Sequence, residues 1–361
     1  MKKKILLLII LLITALLLVV GCNKKEEVKE TENRTVVDMA GRSVEIPANV
    51  EKIYATGTLG TILIQTLAPE SIAGLNSEMS EMELKYLGDT NKATPVLGSW
   101  KGTQYNGNIE EFLMVKPDVI INMGDVSEAY ISDTEEIEKQ TGIPVLMVDG
   151  SIDKTAEAYT FLGEILNKED RAKKLSDYFT KTMSNVKGVI NNIPEEKRVK
   201  VYYAMGPKGL ETELRGTINS EIIEIAGGLN VASSNWKSES RRIQVSLEQV
   251  ILENPDVVII SIDGDSNHQV YKDITNSSSW GVINAVNDGK VYEIPGIPYD
   301  WINRPPSVNR IIGIKWLANI LYPDKYEIDV KQEIKDFFEL YYLYDITDEE
   351  IEEILVNSKV N

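Results

Sequence analysis

Two stretches far apart in the chain carry one pattern: residues 108–121 read NIEEFLMVKPDVII and residues 246–260 read SLEQVILENPDVVII. In each, an acid (Glu110, Glu248) stands seven residues before a proline (Pro117, Pro255), and the proline is followed by Asp and a β-branched run. Proline lacks the backbone N–H and crowds the preceding turn, so a short helix ends near it. The Val and Ile run that follows reads as a buried strand. A chain with this helix-to-strand unit in both halves is constrained to two α/β lobes of similar build.

The surrounding pattern agrees. Strand-like runs at 52–55, 144–148, 199–204 and 290–294 alternate with helical stretches such as 219–226, which stops at Gly227 and Gly228. Alternation of strand and helix implies mostly parallel sheets. Between the halves, 156–165 and 169–190 read as helices, the second with Leu175, Phe179, Met183, Val186 and Ile190 spaced by three or four. At ~1.5 Å per residue the second helix would be roughly 33 Å long, a strut between lobes and a stiff hinge. Near the end, 333–344 predicts an aromatic-faced helix, its aromatics read as core, and Thr347 with Glu350 predicts a capping box before a last helix at 348–355.

The first residues bear on compartment. Lys2, Lys3 and Lys4 precede an apolar run over 5–20 that ends in Val20, Gly21, Cys22. Charged-then-apolar order marks a secretory signal, and the run is shorter than the ~20 residues that comfortably span a bilayer. A small residue before Cys22 fits lipoprotein processing, in which the thiol takes a diacylglyceryl group and becomes the new N-terminus. Cys22 is the chain's one cysteine, so the mature protein has no disulfide, thiolate nucleophile or Cys-ligated metal site. The expected organisation is therefore a leader (1–21), a charged, lipidated tether (22–34), an N-terminal α/β lobe (35–165), the linking long helix (166–193) and a C-terminal α/β lobe with C-terminal helices (194–361). With 38 Lys and Arg against 56 Asp and Glu, the formal charge is −18, which repels nucleic acid.

Together with the two KPD/NPD units and the linking helix, three further stretches carry a family likeness: VVDMAGRSVEIPANVEKI (36–53), INSEIIEIAGG (218–228) and PYDWINRPPSVNRIIGIKWLA (298–318). From about Thr35 to the C-terminus the chain resembles the helix-linked (class III) periplasmic binding proteins that carry ferric siderophores, haem, cobalamin or oxyanions to ABC transporters. The resemblance implies two Rossmann-like lobes with mostly parallel sheets, one long joining α-helix and a ligand cleft between the lobes. It also implies an acid on each lobe that docks to arginines of the permease transmembrane subunits, at positions matching Glu110 and Glu248. The residues support that separately. With Asn108 and Ser246 as N-caps, Glu111 and Gln249 take the third helical position and leave Glu110 and Glu248 as spare acids.

Loops leaving strand C-termini line the crevice in such sheets. Here they are 56–59, 99–105, 122–125, 203–207, 241–244 and 298–304. Trp100, Lys101, Tyr203, Arg215, Arg241, Arg242, Trp301 and Arg304, in or near these loops, offer flat faces and cationic forks to an anionic ligand. His268, the one histidine, sits in a polar loop and is expected in solvent, so a bare metal site of several histidines is excluded and a metal would arrive wrapped. An iron chelate of the ferric siderophore type is the first expectation. A free oxyanion such as molybdate or tungstate is the second, with cobalamin and haem behind. No cofactor is expected, and a monomer is. Catalysis is disfavoured, because nucleophile–base chemistry would rest on His268 alone and no nucleotide loop is present. A surface solute receptor for signalling is the alternative of another class.

Overall fold

In the computed structural model, which describes residues 33–233, 236, 242–262 and 267–359, the two repeated units form the central strands of two parallel sheets. The N-terminal sheet has the order Ile53–Ala55, Val119–Gly124, Val145–Asp149. The C-terminal sheet has the order Leu229–Asn230, Lys200–Ala204, Val257–Ile260, Val291–Glu293. Each central strand follows a short flank helix, Ile109–Val115 or Leu247–Glu253.

The residues expected to cap those helices do so. The Asn108 side chain accepts from the Glu110 and Glu111 N–H groups, and Ser246 with Gln249 forms a full capping box. Both helices stop at a left-handed residue, Lys116 (φ 50°) or Asn254 (φ 45°), before the proline turns the chain into the strand. The Asp after each proline then acts as a clip. Asp118 donates its N–H to Lys52 O and accepts from Lys52 N, each at 2.8 Å, while Asp256 makes the same two bonds to Lys200, each at 2.9 Å. Lys52 and Lys200 stand at the start of the neighbouring strands, so the clip sets strand register in both lobes.

Alternation along the strands divides the core. Ile53, Ala55, Val119, Ile121, Leu146 and Val148 face one way and, together with Val201, Tyr203, Val257, Ile259, Tyr292 and Ile294 of the other sheet, join one continuous apolar belt. The opposite faces make private cores. Tyr54, Ile120 and Val145 pack with Trp100 and Phe112, and Tyr202, Val258, Ile260 and Val291 pack with Val250 and Trp280. The lobes thus share a core through their inner faces.

The linking helix runs Glu169–Ile190, with Leu175, Phe179, Met183, Val186 and Ile190 buried in the belt. It packs closely on the preceding helix Thr155–Leu166, where a Cβ at Gly163 would collide with Ala172. It is not the one bridge. The C-terminal helices return across to the N-terminal half: Lys85 meets Glu350 at 2.7 Å, and Tyr86 sets its ring edge-on to Phe338 (5.4 Å) and Tyr344 (5.0 Å). Burial alone would raise the Glu350 carboxyl, but the Lys85 ammonium and the Thr347 N–H of the capping box hold it down at about 2. The aromatic helix expected over 333–344 is a helix Val330–Phe337 followed by a π-helical turn Phe338–Tyr342, and its aromatics are core.

Residues 33 and 34, expected in the tether, belong to the fold. Asn33 pairs with Pro47 in a hairpin, and Arg34 donates to the Glu164 carbonyl at 3.1 Å. That hairpin is pinned to the edge of the N-terminal sheet by Asp38, whose buried carboxylate accepts from Ala40, Arg42 and Met147 N–H groups. The leader and Cys22 lie outside the described residues.

Candidate functional site

Between the lobes lies a cleft of about 490 Å³. From the N-terminal half it is lined by Thr58, Ser77, Ser80 and Glu83, and from the C-terminal half by Ile262, Gly296, Pro298, Tyr299, Asp300, Arg304 and Pro305. Thr58 follows strand Ile53–Ala55, Ile262 follows Val257–Ile260 and Gly296 follows Val291–Glu293. The cleft therefore opens at strand C-termini, as parallel sheets dictate.

Three features give it chemistry. Thr58 begins the helix Thr58–Leu67, whose N-cap is Gly57 with no side-chain cap, so the first-turn N–H groups are not taken by a capping side chain. Arg304 enters from the other side in a left-handed conformation (φ 75°) that non-glycine residues seldom adopt. Its guanidinium lies 3.8 Å from Glu213, a carboxylate that is 1% exposed. The turn that presents it is built by Asp300, whose Oδ1 accepts from Ile302 and Asn303 N–H groups at 2.8 Å each. Across the cleft, Glu83 accepts from Ser80 N and Oγ as the closing member of a capping box. Burial lifts the Tyr299 hydroxyl well above its ordinary range, and the neighbouring Glu83 carboxylate lifts it further. Glu83 and Tyr299 thus line the cavity from opposite lobes.

Of the residues proposed from sequence, Arg304 lines this cleft. Trp100 does not. It is buried in the private N-terminal core, stacked on Tyr105 at 4.0 Å and edge-on to Tyr54 and Phe112. Tyr203 is buried in the shared belt, and Trp301 is buried with its ring edge-on to Trp316 at 6.3 Å. These rings gain more from full burial among other rings than an open cleft offers. Lys101 is exposed on the two-residue strand Trp100–Lys101, outside the cleft lining. Arg215 donates from Nε to Asn230 O at 2.8 Å, and Arg242 Nε meets Glu211 Oε2 at 2.7 Å, so both guanidinium groups bind within their own lobe. Arg241 lies outside the described residues. His268, expected in solvent, instead places Nδ1 2.6 Å from Glu293 Oε2, a carboxylate 2% exposed. Glu110 and Glu248 are exposed, one at the start of each flank helix.

Sequence reasoning passed over Glu83, Tyr299 and Ser80. The SEME run at 80–83 carries a capping-box signature that marks Glu83 as fixed in place, and Tyr299 was within a loop already singled out.

The sequence pattern of the family described as periplasmic binding protein matches residues 101–298, more than half of the chain. The chain belongs to that family. An ABC transporter solute binding protein from Sulfurospirillum deleyianum superposes with a TM-score of 0.79 at 31% identity, over 89% of this chain and 98% of that one. The molybdate-binding protein MolA of Haemophilus influenzae is 26% identical over 337 residues, 86% of this chain and 91% of the relative. A vitamin B12-binding protein of Vibrio campbellii is 28% identical over 57% of this chain and 70% of its own length. This periplasmic binding protein is thus a solute-binding component of ABC transport and not an enzyme. Among the described residues no helix is long and apolar enough to cross a membrane.

Proposed function

We propose that this binding protein is anchored outside the cell membrane by a lipid on Cys22, captures an anionic metal chelate of the ferric siderophore type in the inter-lobe cleft, and delivers it by docking Glu110 and Glu248 on its permease. The observation that carries the reading of the solute is the convergence of Arg304 and the side-chain-uncapped start of helix Thr58–Leu67 on a cavity of about 490 Å³. That volume suits a small organic ligand and exceeds what a bare tetrahedral oxyanion fills. The hydroxyls of Thr58, Ser77 and Ser80 add donors for a polar, oxygen-rich solute. The shared belt and the return of the C-terminal helices favour a small closure over a wide swing.

A second reading, molybdate or tungstate, is favoured by the match to MolA along 91% of that relative's length. A helix start and one guanidinium are a sufficient donor set for such an ion.

Thermal shift against ferric citrate, a ferric catecholate, molybdate, tungstate, cyanocobalamin and haemin separates these. At a ~100-fold excess over Kd the true solute adds about 2.7 kcal/mol of stability. Stabilisation by a ferric chelate alone supports the first reading and by an oxyanion alone the second. Indifference to every anion would remove the anionic assignment.

A further inference from the structure

The flank helices of the two repeated units expose more than acids. Met114 is 79% exposed and Leu252 is 83% exposed, the two most exposed large apolar side chains among the described residues. They hold the same place, each the sixth residue after its N-cap, Asn108 or Ser246. At about 100° of turn per residue, positions two and six lie about 40° apart and each about 160° from position four. Position four is buried in both helices, as Phe112 and Val250. Glu110 with Met114, and Glu248 with Leu252, therefore share the outward face of their helices, about 6 Å apart along the axis. One exposed Leu is ordinary. The same pair of an acid and an exposed apolar residue, in the same register on both lobes, calls for a shared cause.

We propose that Met114 and Leu252 are paired apolar docking pegs, each entering a socket on the permease beside the cationic group that meets its acid. The inference rests on the docking role of Glu110 and Glu248. Because the pegs are duplicated on two similar lobes, they fit a partner that presents equivalent socket-and-cation sites twice, as two related transmembrane subunits do. Charge would then steer encounter and fix register, while the desolvated apolar contact slows release. The two pegs are unequal in setting. Leu113, adjacent to Met114 in sequence and 39% exposed, extends the apolar surface on its side of the helix, whereas its counterpart Ile251 packs inward against the C-terminal core. Met114 is thus the peg with the larger contact.

The test measures docking of the mature chain on its ABC permease in lipid nanodiscs, using Met114→Ser, Leu252→Ser, the double variant, and Glu110→Arg with Glu248→Arg. Each serine should weaken docking about tenfold, Met114→Ser the more, and the pair roughly a hundredfold, with the urea midpoint unchanged. If the arginine variant loses docking while the serine pair docks as wild type, the pegs are overturned and the acids stand. If the arginine variant docks normally while the serine pair is weakened, the pegs stand and the acids fall. Normal docking by both overturns both. Should the serines abolish only self-association of this chain in sedimentation, the face belongs to a second copy and the proposal is overturned.

Discussion

The two lobes are built from one unit, and what they share differs in kind from what they do not. Cap, left-handed stop, proline and Asp clip recur in both, down to bonds of 2.8 and 2.9 Å onto Lys52 and Lys200. The cleft residues do not recur. Glu83, with Ser80 and Thr58, comes from one side, and Tyr299, Asp300 and Arg304 from the other, with no counterpart in register. Duplicated features lie in the framework and on the outer helices, where a partner with two similar halves would meet them. Unduplicated features line the cavity, where one asymmetric molecule would bind.

The comparison is broken most readily at the buried anchor of each flank helix. Phe112→Ala should lose about 3–5 kcal/mol in urea unfolding, and Val250→Ala distinctly less, because less side chain leaves the core. Equal losses would mean that the anchors do not hold the helices in the way the buried rings around Phe112 suggest. Next come the clips: Asp118→Ala and Asp256→Ala should each cost about 1–3 kcal/mol by leaving strand N–H groups without their acceptor. A large loss in one lobe and none in the other would end the claim of equivalence. The caps follow, with Asn108→Ala and Ser246→Ala each lowering stability by about 1 kcal/mol. Solute binding should be unaffected by either.

The remaining effects are in pH, and their signs are opposite. Glu350 is held at about 2, so the Lys85 contact that ties the C-terminal helices to the N-terminal half is intact near neutrality. That contribution is lost as pH falls from the ordinary carboxylate value of 4.5 through about 2. Lys85→Met should flatten this acid limb in a pH series of melting temperatures. Glu224, which burial pushes up to about 7, keeps in the folded state a proton that the unfolded chain releases. Its contribution is present at pH 4 and lost as pH rises through about 7, so Glu224→Gln should remove that decline. An unchanged slope in either variant would assign the pH dependence to other groups.

Much of this fold is written locally. The linking helix has the ends that its periodicity and flanks suggested, Glu169 and Ile190, because an amphipathic stripe of that length admits one burial solution. Asn108, Ser246 and Thr347 cap their helices because a short polar side chain there has one set of N–H groups within reach. What could not be read locally is direction in space. Trp100 follows a strand-to-loop transition and so looked like a cleft residue, yet its neighbours Tyr54 and Phe112 come from other elements and enclose it. Arg215 and Arg242 lie outside the cleft lining for a related reason. In an acid-rich chain a guanidinium readily finds a carboxylate or carbonyl in its own lobe, as Arg242 finds Glu211 and Arg215 finds Asn230. The return of the C-terminal helices was hidden because Lys85 and Glu350 are far apart in sequence, and the capping box that singles out Glu350 names no partner outside its own helix.

The proposed function requires a solute gripped between the lobes at Arg304. Calorimetric titration of wild type, Arg304→Gln and Arg242→Gln, using whichever of ferric citrate, ferric catecholate, molybdate or tungstate raises the melting temperature most, tests it directly. Loss of a charge-assisted contact should weaken binding to Arg304→Gln by about tenfold to a hundredfold, while Arg242→Gln binds as wild type. Equal affinity across all three proteins would contradict the placement of the solute in this cleft.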